Sequence, residues 1–367
     1  MAMDKIITID FPRVLFCIDT LNGGGAEKLL IRYVNVLNKN REINITLLVL
    51  RRYGELLSEV QSDVAIYFYS DMTPDEREKF NKLEFDVEIA FLESFASRFI
   101  ANKVSKAFKV GWIHTDLLNN NWCVRCFPDG RQEEIYNMLD NIVCINRYCK
   151  DCFIKAFPSL EDKTITCNNI LDFESMDMAI LTNTPNKVPT FSFVGRLVRE
   201  KHPELALLAF IELLNKGIIC KLKFIGEGNL GQSLLEFCRL HRLSDYVNFC
   251  GYLSSPYNEM AQSTAILSLS DIEGGPLTIA EAYYMGIPSI STHSGGADSF
   301  MKLYGGVIMT ERNSKALANI MEELMDSDFH KSIKVQINPN AVRKDFSESN
   351  FLELIDFWIS NAKYKHG

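Results

Sequence analysis

Two carboxylates, Glu273 and Glu281, stand eight positions apart in the stretch 271–292, DIEGGPLTIAEAYYMGIPSIST. Between them Gly274-Gly275-Pro276 is a turn signal, and helix-forming residues follow from Leu277 and Thr278. Mostly apolar runs at 265–269 and 287–291 flank the segment, which reads as strand, tight loop, helix, strand. Glu273 then lies on a loop at the carboxyl end of a strand, and Glu281 about two turns into the helix. Loops at that end of an open α/β sheet are where ligands bind. A helix N-terminus presents N–H groups and a positive dipole end, which suits a phosphate. An acidic side chain beside such an anion site can accept hydrogen bonds from the hydroxyls of a sugar or ribose. The bland alternative is a surface acid and a helix-face acid without a ligand.

A second charged loop runs from Gly195 through Arg196-Leu197-Val198-Arg199-Glu200 to Lys201, between a strand at 190–194 and a helix that begins near Glu204. Arg offers a bidentate fork and Lys a point charge, and both suit phosphate oxygens; a solvated charge run is the alternative. Gly23, Gly24 and Gly25 separate a first strand at 13–19 from a helix with Leu29, Leu30, Tyr33, Val34 and Leu37 at helical spacing. Three glycines there allow close approach of backbone to a ligand, or make a flexible turn. They do not form G-x-G-x-x-G, so no nicotinamide fingerprint is read. Gly226-Glu227-Gly228 follows a strand at 221–225, and Gly251-Tyr252-Leu253 follows one at 247–250. His114 ends the strand KVGWIH, where a lone imidazole can be structural or functional.

Taken together these motifs resemble the family-4 type of retaining glycosyltransferases, whose Glu-x7-Glu signature matches Glu273 to Glu281. The resemblance spans nearly the whole chain. It implies α/β architecture with two Rossmann-like domains facing across a cleft (GT-B) and a C-terminal helix crossing back to the first domain. It implies transfer of a sugar from a nucleoside-diphosphate sugar, UDP-linked in expectation, to an acceptor hydroxyl with retention at the anomeric carbon. Glu273 would contact the donor sugar and Glu281 the ribose. Arg196 and Lys201 would hold the diphosphate, and His114 would lie near the sugar. Gly23, Gly24, Gly25, Gly195, Gly226, Tyr252, Gly274, Gly275, Pro276, Leu277 and Thr278 would complete the donor site. No metal and no cofactor beyond the donor is expected. The acceptor would be a carbohydrate, glycolipid or glycoprotein, as in bacterial surface polysaccharide synthesis. Two alternatives remain open: a nucleotide-sugar epimerase on the same scaffold, which would turn over without an acceptor, and a non-catalytic partner subunit, which would bind donor without transfer.

The chain has 367 residues, 47% hydrophobic and 23% charged, with a formal charge of −8. Two domains are the natural expectation, with residues 1–177 as acceptor side, 178–347 as donor domain, and 348–367 as the returning helix. The linker is placed at 178–188, where periodicity fades and Pro185 appears. The acidic balance argues against nucleic acid as a partner. The start MAMDKIITID lacks a signal-peptide pattern, and no apolar run is long enough to span a bilayer, so a cytoplasmic location is expected. Ten cysteines, mostly in apolar contexts, read as reduced buried thiols. Cys123-x-x-Cys126 with Cys149-x-x-Cys152 is sharper and would suit zinc if all four thiolates converge. Asp326-Ser327-Asp328 falls in a polar turn and reads as solvated. Arg98, Lys103, Lys106 and Lys109 punctuate Phe95, Phe99, Ile100, Val104 and Phe108, a pattern that fits either an amphipathic helix on an anionic membrane or an ordinary core helix.

Overall fold

The structure, a computed structural model, describes residues 11–22, 24–54, 56–61 and 64–365. It divides into two compact units. One runs to Ile170 and resumes at Glu348, and the other is Leu171–Ser347.

The first unit holds β1 (Arg13–Ile18), β2 (Asn44–Val49), β3 (Ala65–Phe68), β4 (Val87–Ala90), β5 (Phe108–Ile113), β6 (Asn141–Cys144) and β7 (Thr164–Thr166). They form one sheet in the order β3-β2-β1-β4-β5-β6-β7, with every pairing parallel. Parallel pairs need long crossovers, and here helices supply most of them. Both faces are therefore covered, and strands such as RVLFCI read as continuous apolar runs, buried from Val14 to Ile18. The first crossover, helix Gly25–Asn40, buries the five residues whose spacing announced it, together with Ile31 and Val36. Helix Glu348–Lys365 belongs to this unit and closes its core: Tyr33 lies 4.4 Å from Phe351, ring centre to ring centre, and Trp112 lies 6.1 Å from Trp358. Phe351, Leu352, Ile355 and Trp358 are buried as their spacing suggests, whereas Phe357 points outward at 51% exposure.

The second unit holds β8 (Thr190–Val194), β9 (Lys221–Ile225), β10 (Val247–Gly251), β11 (Ala265–Ser268), β12 (Ser289–Thr292) and β13 (Val307–Thr310), again all parallel, in the order β10-β9-β8-β11-β12-β13. Each sheet grows outward in both directions from its first strand. The strand order therefore reverses between β1 and β4 in one unit and between β8 and β11 in the other.

The boundary falls after Ile170, not after 177. Residues 173–182 form a helix whose Met176 and Ala179 are buried among Tyr257, Met260 and Tyr283 of the second unit. The expected break would cut that helix, and the polar stretch beyond it is a surface loop within the unit.

The basic stretch is not an amphipathic membrane helix. Helix Phe95–Asn102 ends before Lys103, and Phe108 already belongs to β5. Lys103 is buried and paired with Glu88 at 2.7 Å. The Lys109 ammonium donates to the carbonyls of Ala101 and Lys103. Arg98 forms a bidentate pair with Asp129. Arg98, Lys103 and Lys109 are thus committed to partners within the protein, while Lys106 is exposed. Among the described residues, no helix is long and apolar enough to cross a membrane.

Candidate active site

The carboxyl ends of β8 and β11 are adjacent at the point where strand order reverses, the position where open α/β sheets bind ligands. The loop after β8 carries Lys201, and the loop after β11 carries Glu273. The two side chains meet there, the Lys201 ammonium donating to Glu273 Oε1. Ser270 Oγ donates to the same oxygen at 2.6 Å. Both side chains are largely shielded, at 26% and 17% exposure, so the contact is better protected than an ordinary surface pair. The loops are joined again through the backbone, Asp271 N–H donating to the Glu200 carbonyl at 3.0 Å. Arg196 does not join this contact. Its side chain is 59% exposed and lies 3.7 Å from Glu200, beyond hydrogen-bonding distance.

Glu281 is the fifth residue of helix Leu277–Tyr284, little more than one turn from its start and not the two turns expected, because Pro276 stands outside as the capping residue. Tyr257 Oη donates to its carboxylate at 3.0 Å. Gly274 and Gly275 make the tight loop between Glu273 and this helix, and Leu277 and Thr278 open its first turn, where N–H groups lack i−4 acceptors.

Backbone contacts knit the neighbouring loops. Gly195 N–H donates to Ile225 O at 3.0 Å, and Gly226 N–H donates to Gly251 O at 2.8 Å. At Gly226 φ is 139°, and a Cβ would stand 2.1 Å from the Gly195 carbonyl oxygen, so only glycine fits. Tyr252 N–H donates to Glu227 Oε1 at 3.2 Å on the third of these loops. On the other side Gly296 N–H donates to Glu273 O at 2.8 Å, and a Cβ there would stand 2.5 Å from the same oxygen. Gly295 is the first residue of helix Gly295–Tyr304, which packs directly on the Glu273 turn.

In the first unit, Gly24 caps helix Gly25–Asn40, and Gly25 is its first residue; Gly23 lies outside the described residues. His114 follows β5. Its backbone N–H donates to Glu93 Oε2 at 2.9 Å, while Thr115 Oγ1 and Trp122 Nε1 donate to Glu93 Oε1 at 2.7 and 3.2 Å. Burial pushes Glu93 above the usual carboxylate range. Burial also drives the His114 imidazole down to about 3, against a weaker opposing hydrogen bond to the Phe91 backbone. Its ring is therefore neutral near pH 7, and its buried Nε2 has no hydrogen-bond partner. Asp19, at the end of β1, accepts from Ser94 Oγ at 2.7 Å and Ala96 N–H at 2.9 Å, and burial raises its pKa.

Sequence reasoning missed Asp19, Glu93, Ser270, His202, Asp271 and Arg312. Asp19 and Glu93 each stand just past an apolar strand, at the ends where ligands bind, and that placement was the available signal. The four cysteines do not converge as zinc would require. Cys123 Sγ instead donates to Asn121 Oδ1 at 3.2 Å, and among the described residues no group of three or more His, Cys, Asp or Glu could hold a metal ion. Asp326, read as solvated, caps helix Ser327–Lys334 by accepting from the Asp328 and Phe329 N–H groups at 3.0 Å each.

Residues 181–342 match the family model for glycosyl transferases group 1. A Campylobacter jejuni alpha-1,4-N-acetyl-D-galactosaminyltransferase, named for a diphospho-undecaprenol-linked acceptor, is 23% identical over 93% of this chain and 96% of its own length. HepE of Anabaena, solved with UDP and glucose, superposes with a TM-score of 0.75 at 15% identity, over 95% of this chain and 99% of that one. WaaG, a glycosyltransferase involved in lipopolysaccharide biosynthesis, superposes with a TM-score of 0.65 at 13% identity, over 91% and 96%. The two doubly wound units and these structural likenesses define the GT-B fold. The match to the group 1 glycosyl transferases takes up nearly all of the second unit.

Proposed function

We propose that the chain transfers a sugar, with retention, from a UDP-linked donor to a hydroxyl of a lipid-linked or other glycoconjugate acceptor in bacterial surface polysaccharide synthesis. The observation that carries this reading is the Lys201–Glu273 contact at the strand-order reversal, which puts a cation for phosphate beside a carboxylate for sugar hydroxyls. In the reaction the bond from anomeric carbon to phosphate oxygen breaks, and its electron pair leaves on the diphosphate. The acceptor oxygen bonds to the carbon, and its proton passes to the departing phosphate oxygen. Lys201, held by Glu273, stabilises the departing charge as a fixed cation that needs no reorganisation, and Arg196 adds a second positive charge. Arg196, now solvent-exposed, would swing onto the diphosphate when donor binds. Glu281 would take the ribose hydroxyls. No residue is assigned as an enzymic nucleophile. We further propose metal-independent transfer, because two cationic side chains are available for the role a divalent ion would play, and a location on the inner face of the membrane, by likeness to relatives named for lipid-linked acceptors.

A panel of UDP and GDP sugars, assayed for transfer with and without excess chelator, tests the reading. Lys201→Ala and Arg196→Ala should each lower turnover by about a hundredfold while remaining folded by circular dichroism. Two folded variants within about threefold of wild type would remove the diphosphate from this loop. Complete loss in chelator, restored by Mg²⁺ or Mn²⁺, would overturn the metal-independent form.

A further inference from the structure

Next to Lys201 the backbone takes an unusual turn. His202 has φ 50° and ψ 50°, a left-handed conformation that among the described residues only one other non-glycine residue, Arg242, shares on the positive-φ side. A residue with a Cβ is disfavoured there and persists only where its surroundings hold it. The surroundings do so here. His202 Nε2 lies 2.8 Å from Asp271 Oδ1, and Nδ1 lies 3.1 Å from Glu204 Oε1. Asp271 is held in turn by Arg312, whose Nη1 lies 2.8 Å from the same Oδ1 and whose Nη2 donates to Ser270 O at 3.3 Å. The chain His202–Asp271–Arg312 therefore ties together the segments that follow β8, β11 and β13. Asp271 and Ser270 also flank the turn that presents Glu273, so the tie fixes both partners of the Lys201–Glu273 contact from outside.

We propose that His202 is a positioning residue for donor binding, acting through Lys201 by latching its loop to Asp271 and Arg312. The inference rests on the donor reading of Lys201 and Glu273. A glycine would satisfy the backbone at this position without strain, so a histidine is justified here by its side-chain contacts. That asymmetry separates positioning from stability. His202→Gly removes the latch and the strain together. It should leave the melting temperature unchanged or raised, while weakening nucleotide binding about tenfold or more through a displaced Lys201.

The experiment is calorimetry with UDP and GDP on the full chain, for wild type, His202→Gly, His202→Asn, Asp271→Asn and Lys201→Ala, with a Lys201→Ala/His202→Gly double variant. Asn tolerates the left-handed region and carries an amide that can reach Asp271, so His202→Asn should recover part of the lost affinity. Asp271→Asn should weaken binding from the other end of the latch. In the Lys201→Ala background, His202→Gly should change affinity by less than about twofold, since the residue acts through the lysine. Wild-type affinity in both His202→Gly and Asp271→Asn, or an undiminished effect of His202→Gly without Lys201, would overturn the proposal. If Lys201→Ala itself binds as wild type, or wild type binds neither nucleotide, the donor reading has failed and takes this inference with it. A weakened Lys201→Ala beside a wild-type-like His202→Gly removes the latch alone.

Discussion

At the scale of single residues, the site is defined by what its charged groups already touch. Glu273 balances Lys201, so the two would have opposed effects on the diphosphate of the proposed donor. Glu273→Gln removes a negative charge from beside Lys201, the cation proposed for that phosphate. It should therefore bind the nucleoside diphosphate about threefold more tightly, the size of a partly exposed charge contact, while turnover falls because a sugar contact is lost. Glu281→Gln should instead weaken nucleotide binding, by about 1.5–3 kcal/mol if a charged hydrogen bond to ribose is lost. Calorimetry separates the two, and weaker binding by Glu273→Gln would contradict the arrangement. His114 gives a pH test. Burial depresses its folded pKa to about 3, below the unfolded value, so between those values the unfolded chain holds a proton that the native chain lacks. Its contribution to stability is present above the unfolded pKa and is lost as pH falls toward 3. Glu93, with its pKa raised, has the opposite sign: its contribution is present at low pH and is lost as pH rises through the folded value. Replacing His114 by Asn should therefore flatten the acid-side loss of melting temperature, and in labelled wild type the His114 ring signal should not titrate above about pH 4. The chemistry-bearing residue types were legible because glycine turns, strands and charges coincide at Glu273 and Lys201. Their contact with each other was not, because a loop's path depends on packing that no spacing encodes. Glu93 escaped notice for a related reason: a lone carboxylate in an apolar run gains meaning only when three donors are seen to converge on it.

At the scale of elements, strand alternation with helices was plain in the apolar runs, and both sheets follow from it. What failed was where one element stops and the next begins. The 173–182 helix was split because Pro185 and the polar residues after Thr182 suggested a linker, although Met176 and Ala179 already carried a buried face. The basic stretch was read as continuous because spacing ignores termination. The chain leaves the helix at Lys103 to place that lysine against Glu88 on β4. β13 was overlooked because four residues after two glycines give little periodicity. The element most exposed to a single change is the loop after β9. Gly226→Ala must relieve both a positive φ and an overlap with the Gly195 carbonyl, so it should destabilise the second unit by more than about 1 kcal/mol. It should also weaken nucleotide binding by shifting the loop that leads to Arg196. A denaturant midpoint and a nucleotide titration check both, and an unchanged midpoint would mean that the backbone yields freely there.

At the scale of the whole molecule, the two units are not consecutive in sequence, because helix Glu348–Lys365 returns to the first. Trp358 is fully buried there, and its Nε1 donates to Asn141 Oδ1 on β6 at 3.0 Å. Trp358→Ala should cost about 3–5 kcal/mol and be felt in one unit only. Hydrogen exchange should speed up in β4, β5 and β6 and stay unchanged from β8 to β13; acceleration spread across both sheets would contradict the division. The returning helix also sets a timetable. During synthesis the first 170 residues emerge early, yet the helix that seals their core is separated from them by the whole of residues 171–347. At about 5–20 residues per second, that interval lasts roughly ten to thirty-five seconds. For that time Trp112 and Tyr33 have no Phe351 or Trp358 to pack against, while the second unit can already close upon itself. The half made first is thus the half finished last, and a ribosome that stalls before Glu348 releases a chain with its second unit complete and a first unit still open to chaperones and proteases.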